Sequence, residues 1–147
     1  MSRDTPLLEI ALPADTTAPA LARHAVRTLD LPDLDTLETI VLLTSEVVAN
    51  AVQHPAHRAE ARVVLRAHRR GGGIRVEVLE RRGPSRISPP APGWELRHGS
   101  EKGPGWGLRF VERLSRRWGT IHDEAGTLVW FEVEMADGAR SRPDAWV

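Results

Sequence analysis

Apolar residues first cluster in a short run at Leu7–Leu12, which suits an edge strand. Asp15, Thr16 and Thr17 then offer helix-capping side chains, and Pro19 fits a first helical turn. Leu21, Ala25, Val26 and Leu29 recur at helical spacing until Leu31-Pro32 stops the pattern. A second helix is predicted from Asp33 or Asp35 to about His54, ahead of Pro55. Its stripe of Leu37, Ile40, Val41, Val47, Val48 and Ala51 is the clearest periodicity in the chain.

The pattern then changes to strands. Arg62–His68 is rich in Val and Leu, and Gly71-Gly72-Gly73 gives a tight reversal into Ile74–Glu80. There Ile74, Val76 and Val78 alternate with Arg75 and Glu77. Residues 81–104 are dense in Pro and Gly, and a loop of this length inside a small domain usually serves function, often as a lid. A third helix is predicted to open at Gly105–Gly107, with Leu108, Val111 and Leu114 on one face. Strands at Trp118–His122 and Leu128–Met135 flank a turn at Glu124-Ala125-Gly126, and the tail from Ala136 is polar. The chain divides into an N-terminal segment (1–14), one domain (15–135) and a flexible tail (136–147).

At 147 residues the chain is long enough to bury a core without metal or disulfide support. The 20 basic and 20 acidic residues balance, which argues against a general nucleic-acid binder needing surplus positive charge. Without cysteine there are no disulfides, thiolate zinc sites or thiol nucleophiles. No apolar stretch reaches the roughly 18 residues of a membrane span, and the start lacks a signal-peptide pattern, so a cytoplasmic protein is expected.

Three constellations carry candidate chemistry. Glu46, Asn50 and His54 form a narrow polar stripe on the second helix. It is either a solvated face or a carboxylate and carboxamide one turn apart, which offer oxygen ligands to magnesium and a general base. Gly103-Pro104-Gly105-Trp106-Gly107-Leu108 precedes the third helix. It either reverses the chain or brings backbone amides of a helix N-terminus to a phosphate. Leu108 rules out a dinucleotide fingerprint, and no Gly-Lys-Ser/Thr ending makes a Walker loop. Glu80 either turns into solvent at its strand end or continues the core-facing alternation, where a carboxylate needs a partner.

In this order the three resemble the GHKL (histidine kinase and Hsp90-like) ATPases: an N-box helix, a strand ending in an acid, a lid, then a glycine box opening a helix. The resemblance spans about residues 15–135. It is nearest the stand-alone anti-sigma-factor serine/threonine kinases, and Trp118-Gly119 and Val129-Trp130-Phe131-Glu132 are similar to actinobacterial members. It implies an α+β, two-layer sandwich of Bergerat type, with a mixed, mostly antiparallel sheet covered on one face by three helices. It implies ATP and magnesium as ligands, Glu46 as general base and Asn50 as magnesium ligand. Gly103, Gly105, Gly107 and Leu108 would wrap the phosphates, with Lys102 and Arg109 nearby. Glu80 takes the place of the adenine-reading aspartate. The implied partners are a sigma factor and an anti-anti-sigma protein, the latter the phosphorylated substrate, together with a second copy of the chain.

Two positions depart from the family. Glu is longer than Asp by one carbon–carbon bond, about 1.5 Å. Arg82 stands where the family usually has glycine two residues after the acid. Losing one buried hydrogen bond costs about 1–3 kcal/mol, roughly ten- to hundredfold in affinity. A second reading is therefore a binding module of the same fold that docks a partner with weak or no nucleotide binding and no catalysis. A third, the ATPase part of a histidine kinase, is disfavoured: His24 lacks a following acid-Arg-Thr-Pro run, and a dimerising histidine helix pair is not expected here.

Overall fold

Helices and strands form where the two periodicities place them. The computed structural model describes residues 5–52, 62–81, 107–123 and 126–135. In chain order these are β1 (Leu8–Pro13), α1 (Ala18–Val26), α2 (Leu34–Val52), β2 (Arg62–Arg70), β3 (Gly73–Arg81), α3 (Gly107–Leu114), β4 (Arg117–Asp123) and β5 (Gly126–Glu134). Asp33 caps α2: its carboxylate accepts the Asp35 amide at 3.2 Å and the Thr36 hydroxyl. Ahead of α1, Asp15 accepts the Thr17 amide at 2.8 Å, and the Ala18 amide donates to the Asp15 carbonyl.

Two apolar stripes differ from expectation. On α1 the buried residues are Ala18, Ala22, Ala25 and Val26, while Leu21 is 44% exposed. Alanines on the inner side let α1 lie close against α2, leaving leucine no room there. Leu29 is buried as expected, but beyond the helix end. On α3, Val111 is buried, whereas Leu114 and Phe110 are each 46% exposed.

The five strands form one sheet in the order β1-β2-β3-β5-β4, and all four pairings are antiparallel. The sequence suggested a mixed, mostly antiparallel sheet, and the difference has a topological cause. β3 and β4, separated by the single helix α3, run parallel to each other, but β5 inserts between them and opposes both. The β2–β3 reversal uses Gly71 at φ 57°, a left-handed conformation that glycine adopts without steric cost.

The helices cover one face of the sheet. Val63, Leu65 and Ala67 of β2, Ile74, Val76 and Val78 of β3, and Val129, Phe131 and Val133 of β5 point into the layer beneath α1 and α2. From above, Ile40, Leu43, Val47 and Val48 of α2 close the core. Fully burying such a side chain is worth about 1.5–3 kcal/mol, so this layer is the main source of stability.

The opposite face carries a ladder of charges across the sheet. Glu9 pairs with Arg66, His68 approaches Glu77 at 3.6 Å, and Arg75 lies 3.3 Å from Glu77 and 3.0 Å from Glu132. Arg117 joins Glu132 at 3.1 Å. Strand alternation assigns Arg75 to the solvent side, yet it is 1% exposed, with its guanidinium carbon 4.1 Å from the centre of the fully buried Trp130 ring. Planar stacking on indole lets an arginine keep its charge where water is excluded. Burial pulls the Arg75 guanidinium below its ordinary pKa, against the opposing pull of Glu77 and Glu132. For Glu132, burial alone would raise the carboxyl, but the hydrogen bonds and charges of Arg117 and Arg75 together outweigh it and hold it below its usual value.

Candidate functional site

The site is built on the second half of α2. Val47 and Val48 anchor that half in the core, which turns Glu46 and Asn50 to the rim, where both are half-buried. One turn of helix separates them, so both side chains project from one face. No other described residue makes a hydrogen bond or ion pair to either side chain. Immediately before Glu46, Ser45 accepts a hydrogen bond of 2.7 Å from Arg23, which ties α1 to α2 at this level.

Helix polarity decides what these residues face. The first turn of α2 (Asp33, Asp35, Thr36, Thr39) shares a cleft with the end of β5 (Val133, Glu134, Met135) and with Leu114, Ser115 and Arg116 at the end of α3. The 19 residues of α2 span about 28 Å at 1.5 Å each, close to the length of the nine-residue strands beneath. The far end of α2, with Asn50, therefore lies toward the edge of the domain where β3 ends and β5 begins. Asn50 and Glu80 are thereby placed toward the same end of the domain, whereas the first turn of α3, which contains Gly107, Leu108 and Arg109, opens about 12 Å from the start of α2, near the middle of that helix and closer to the level of Glu46. Lys102, Gly103 and Gly105 lie outside the described residues, as do the side chains of Leu108 and Arg109 and the companion residues Arg82 and His54.

Glu80 sits in a straight row across the helix-covered face: Leu12, Val63, Glu80, Thr127 and His122 are successive cross-strand partners on β1, β2, β3, β5 and β4. At 4% exposure it does not turn into solvent, so the core-facing alternative holds. Beside it, Gly126 brings the β5 backbone so close that a Cβ there would stand 1.8 Å from the Glu80 carbonyl oxygen. Thr127 is half-buried, and its hydroxyl lies 2.6 Å from Nδ1 of the exposed His122. Neither Thr127 nor His122 stands out in the sequence. Only the β3–β5 and β5–β4 registers put them beside Glu80.

A hard cation fits this donor set under one condition. Among the described residues no three His, Cys, Asp or Glu side chains gather to cage a metal. A cation held by Asn50 must bring most of its own oxygen ligands, which suits magnesium arriving with phosphates.

Strand order and helix placement together define an α+β ATPase-type domain. Comparison with known families makes this specific: the model of the histidine kinase-like ATPase domain matches residues 12–133, and the chain belongs to that family. No curated protein matches it significantly in sequence. Among solved structures, the histidine kinase domain of the blue-light activated histidine kinase from Erythrobacter litoralis EL346 superposes with a TM-score of 0.51 at 22% identity. That match covers 98% of this chain and 70% of the other, and it speaks for the fold alone. No helix among the described residues is long and apolar enough to cross a membrane.

Proposed function

We propose that this domain binds ATP with magnesium and acts as an anti-sigma-factor serine/threonine kinase, transferring the γ-phosphoryl group to a small anti-anti-sigma protein. The observation that carries the reading is the placing of Glu46 and Asn50 one turn apart on the far half of α2, toward the end of the sheet where Glu80 is buried. The subfamily, its partners and self-association rest on the resemblance of the motifs.

In this reading each residue has one task. The carboxamide oxygen of Asn50 holds magnesium, and the free amides at the start of α3 receive the phosphates, as a helix N-terminus does. Magnesium, when bound, neutralises charge on the phosphate oxygens. Glu46 accepts the hydroxyl proton of the substrate Ser or Thr as that oxygen bonds to the γ-phosphorus and ADP departs with the bridging oxygen. Glu80 accepts from the exocyclic amino group of adenine. The helix face supports this: a half-buried carboxylate and carboxamide with no partner among the described residues are poised for an external one.

Calorimetric titration with ATP and magnesium, followed by transfer of labelled phosphate to candidate anti-anti-sigma proteins, tests it. Asn50→Ala is expected to keep its circular dichroism spectrum and to lose magnesium-dependent ATP binding at least tenfold. Glu46→Gln is expected to keep ATP binding and to lose phosphoryl transfer. An Asn50→Ala protein that unfolds, or full transfer by Glu46→Gln, removes these roles. A natural protein that binds no ATP is instead a partner-docking module, the reading that the longer acid at Glu80 favours.

A further inference from the structure

We infer that residues 136–147 fold back across the face of the sheet opposite the helices, with the Trp146 ring laid on the outer side of the Arg75 guanidinium. This placement does not depend on the ATP reading above.

Side chains are buried on that face where no described element covers them. Strand alternation puts Arg75, Glu77 and Leu79 of β3 and Leu128, Trp130 and Glu132 of β5 there. The described helices all lie on the other side, and the five strands make a single sheet. An uncovered side of an antiparallel sheet meets water and reads as polar. Here Val64, Leu79, Leu128 and Ile121 are successive cross-strand partners on β2, β3, β5 and β4, an apolar row through the middle of the face. Leu128 is buried, and none of the four is exposed. Beside that row Trp130 is buried beneath Arg75, whose guanidinium stacks on its ring. The outermost member of a stack keeps one side toward solvent unless something lies on it. Arg75 is almost inaccessible, and the carboxylates of Glu77 near Nε and Glu132 at Nη1 are too small to shield it. This burial holds for one chain by itself, so the cover belongs to the same chain.

Position and chemistry select the segment. Arg62, Arg81, Gly126 and Asp123 form one cross-strand row, so residues 53–61, 82–106 and 124–125 all join the sheet at that end. Arg75 and Glu132 lie toward the opposite end. Residues 1–4 adjoin the edge strand β1, two strands from Arg75, and contain no aromatic ring. The chain leaves the sheet at Met135, whose amide donates to the Gly72 carbonyl at 2.9 Å. Glu132 is three residues back, about 10 Å along the strand. From Met135 to Trp146 the extended chain reaches about 36 Å, enough to cross the face and turn back over Arg75. Trp146 is the one aromatic residue in 136–147. An indole on each side of a guanidinium excludes water and leaves its charge intact.

The chain has no cysteine, so Ala145→Cys in the full chain takes a single nitroxide label. The amide signals of Arg75, Trp130 and Glu132 are expected to lose most of their intensity and to regain it when the nitroxide is reduced. Those of Glu38 and Leu42, on the outer side of α2, should keep theirs. Adding Trp146→Ala should weaken the effect about threefold, the worth of one cation–π contact, and Trp146→Phe should preserve it. A label at Ser88→Cys should leave the three amides unchanged. Untouched amides with the Ala145→Cys label, or an undiminished effect in Trp146→Ala, overturn the inference. So does broadening from the Ser88→Cys label instead, which assigns the cover to residues 82–106. Mixing nitroxide-labelled chains with separate isotope-enriched ones should broaden nothing; broadening there gives the face to a second copy and overturns the inference as well.

Discussion

Replacing Gly126 by alanine should open the seam between β3 and β5 at the candidate site. The new Cβ would lie 1.8 Å from the Glu80 carbonyl oxygen, 2.9 Å from its carbonyl carbon and 3.1 Å from the Arg81 Cα. Non-bonded heavy atoms settle near 3.5 Å, so the strands must part by about 1.5 Å there. A ladder hydrogen bond stretched that far is lost, and one or two of them at about 1 kcal/mol each gives up to roughly 2 kcal/mol. The Gly126 φ of 154° is a conformation that alanine adopts only with strain, which contributes about 1 kcal/mol more. The expected loss is therefore about 3 kcal/mol. Gly72→Ala is the control, since nothing lies within 4 Å of a Cβ there, and it should change stability by less than about 0.5 kcal/mol. Urea unfolding followed by tryptophan fluorescence measures both, with the slope of the transition checking that the two-state description holds. A Gly126→Ala loss below about 1 kcal/mol would refute the steric reasoning, because backbone atoms, unlike a flexible side chain, cannot swing aside.

Other outcomes follow from buried polar groups. Glu132→Gln removes the carboxylate from a network that includes nearly inaccessible Arg75, and should cost about 3 kcal/mol in urea unfolding. The carboxyl of Glu132 is held below its ordinary value of 4.5 in the folded protein, so its contribution is complete above that pH. It is lost as the pH falls further, through the folded value, and an acid titration of the variant should lack this part of the decline. Thr44 is fully buried in α2 with a hydroxyl that has no hydrogen-bond partner among the described residues, so Thr44→Val should stabilise the fold by about 1 kcal/mol, read as a higher urea midpoint.

What could be read from the sequence was local. The stripe on α2 and the alternation along β3 are set by residues within a turn or two, and they located Glu46, Asn50 and Glu80 together with the elements that hold them. Strand ends moved by a residue or two, where neighbouring strands decide how far pairing runs. Leu21 and Leu114 were misassigned because a helix face is chosen by what it packs on, and alanines won that place on α1. Arg75 looked solvated because its cover is Trp130, which comes alongside only when β5 pairs with β3. Thr127 and His122 escaped notice for the same reason. Their meaning lies in a register between strands far apart in the chain.

That register also orders events in folding. β2 and β3 are joined through a tight glycine turn, and β4 and β5 follow one another directly, so each pair can zip up from nearby residues. β3 and β5 meet only when Arg81 comes beside Gly126, which closes a long stretch of chain. The row Glu80–Thr127–His122 straddles this junction, so neither half of the sheet owns it. A ligand that gripped the row would have nothing to hold in an early, half-paired chain. It would act afterwards, as a latch across the last join to close.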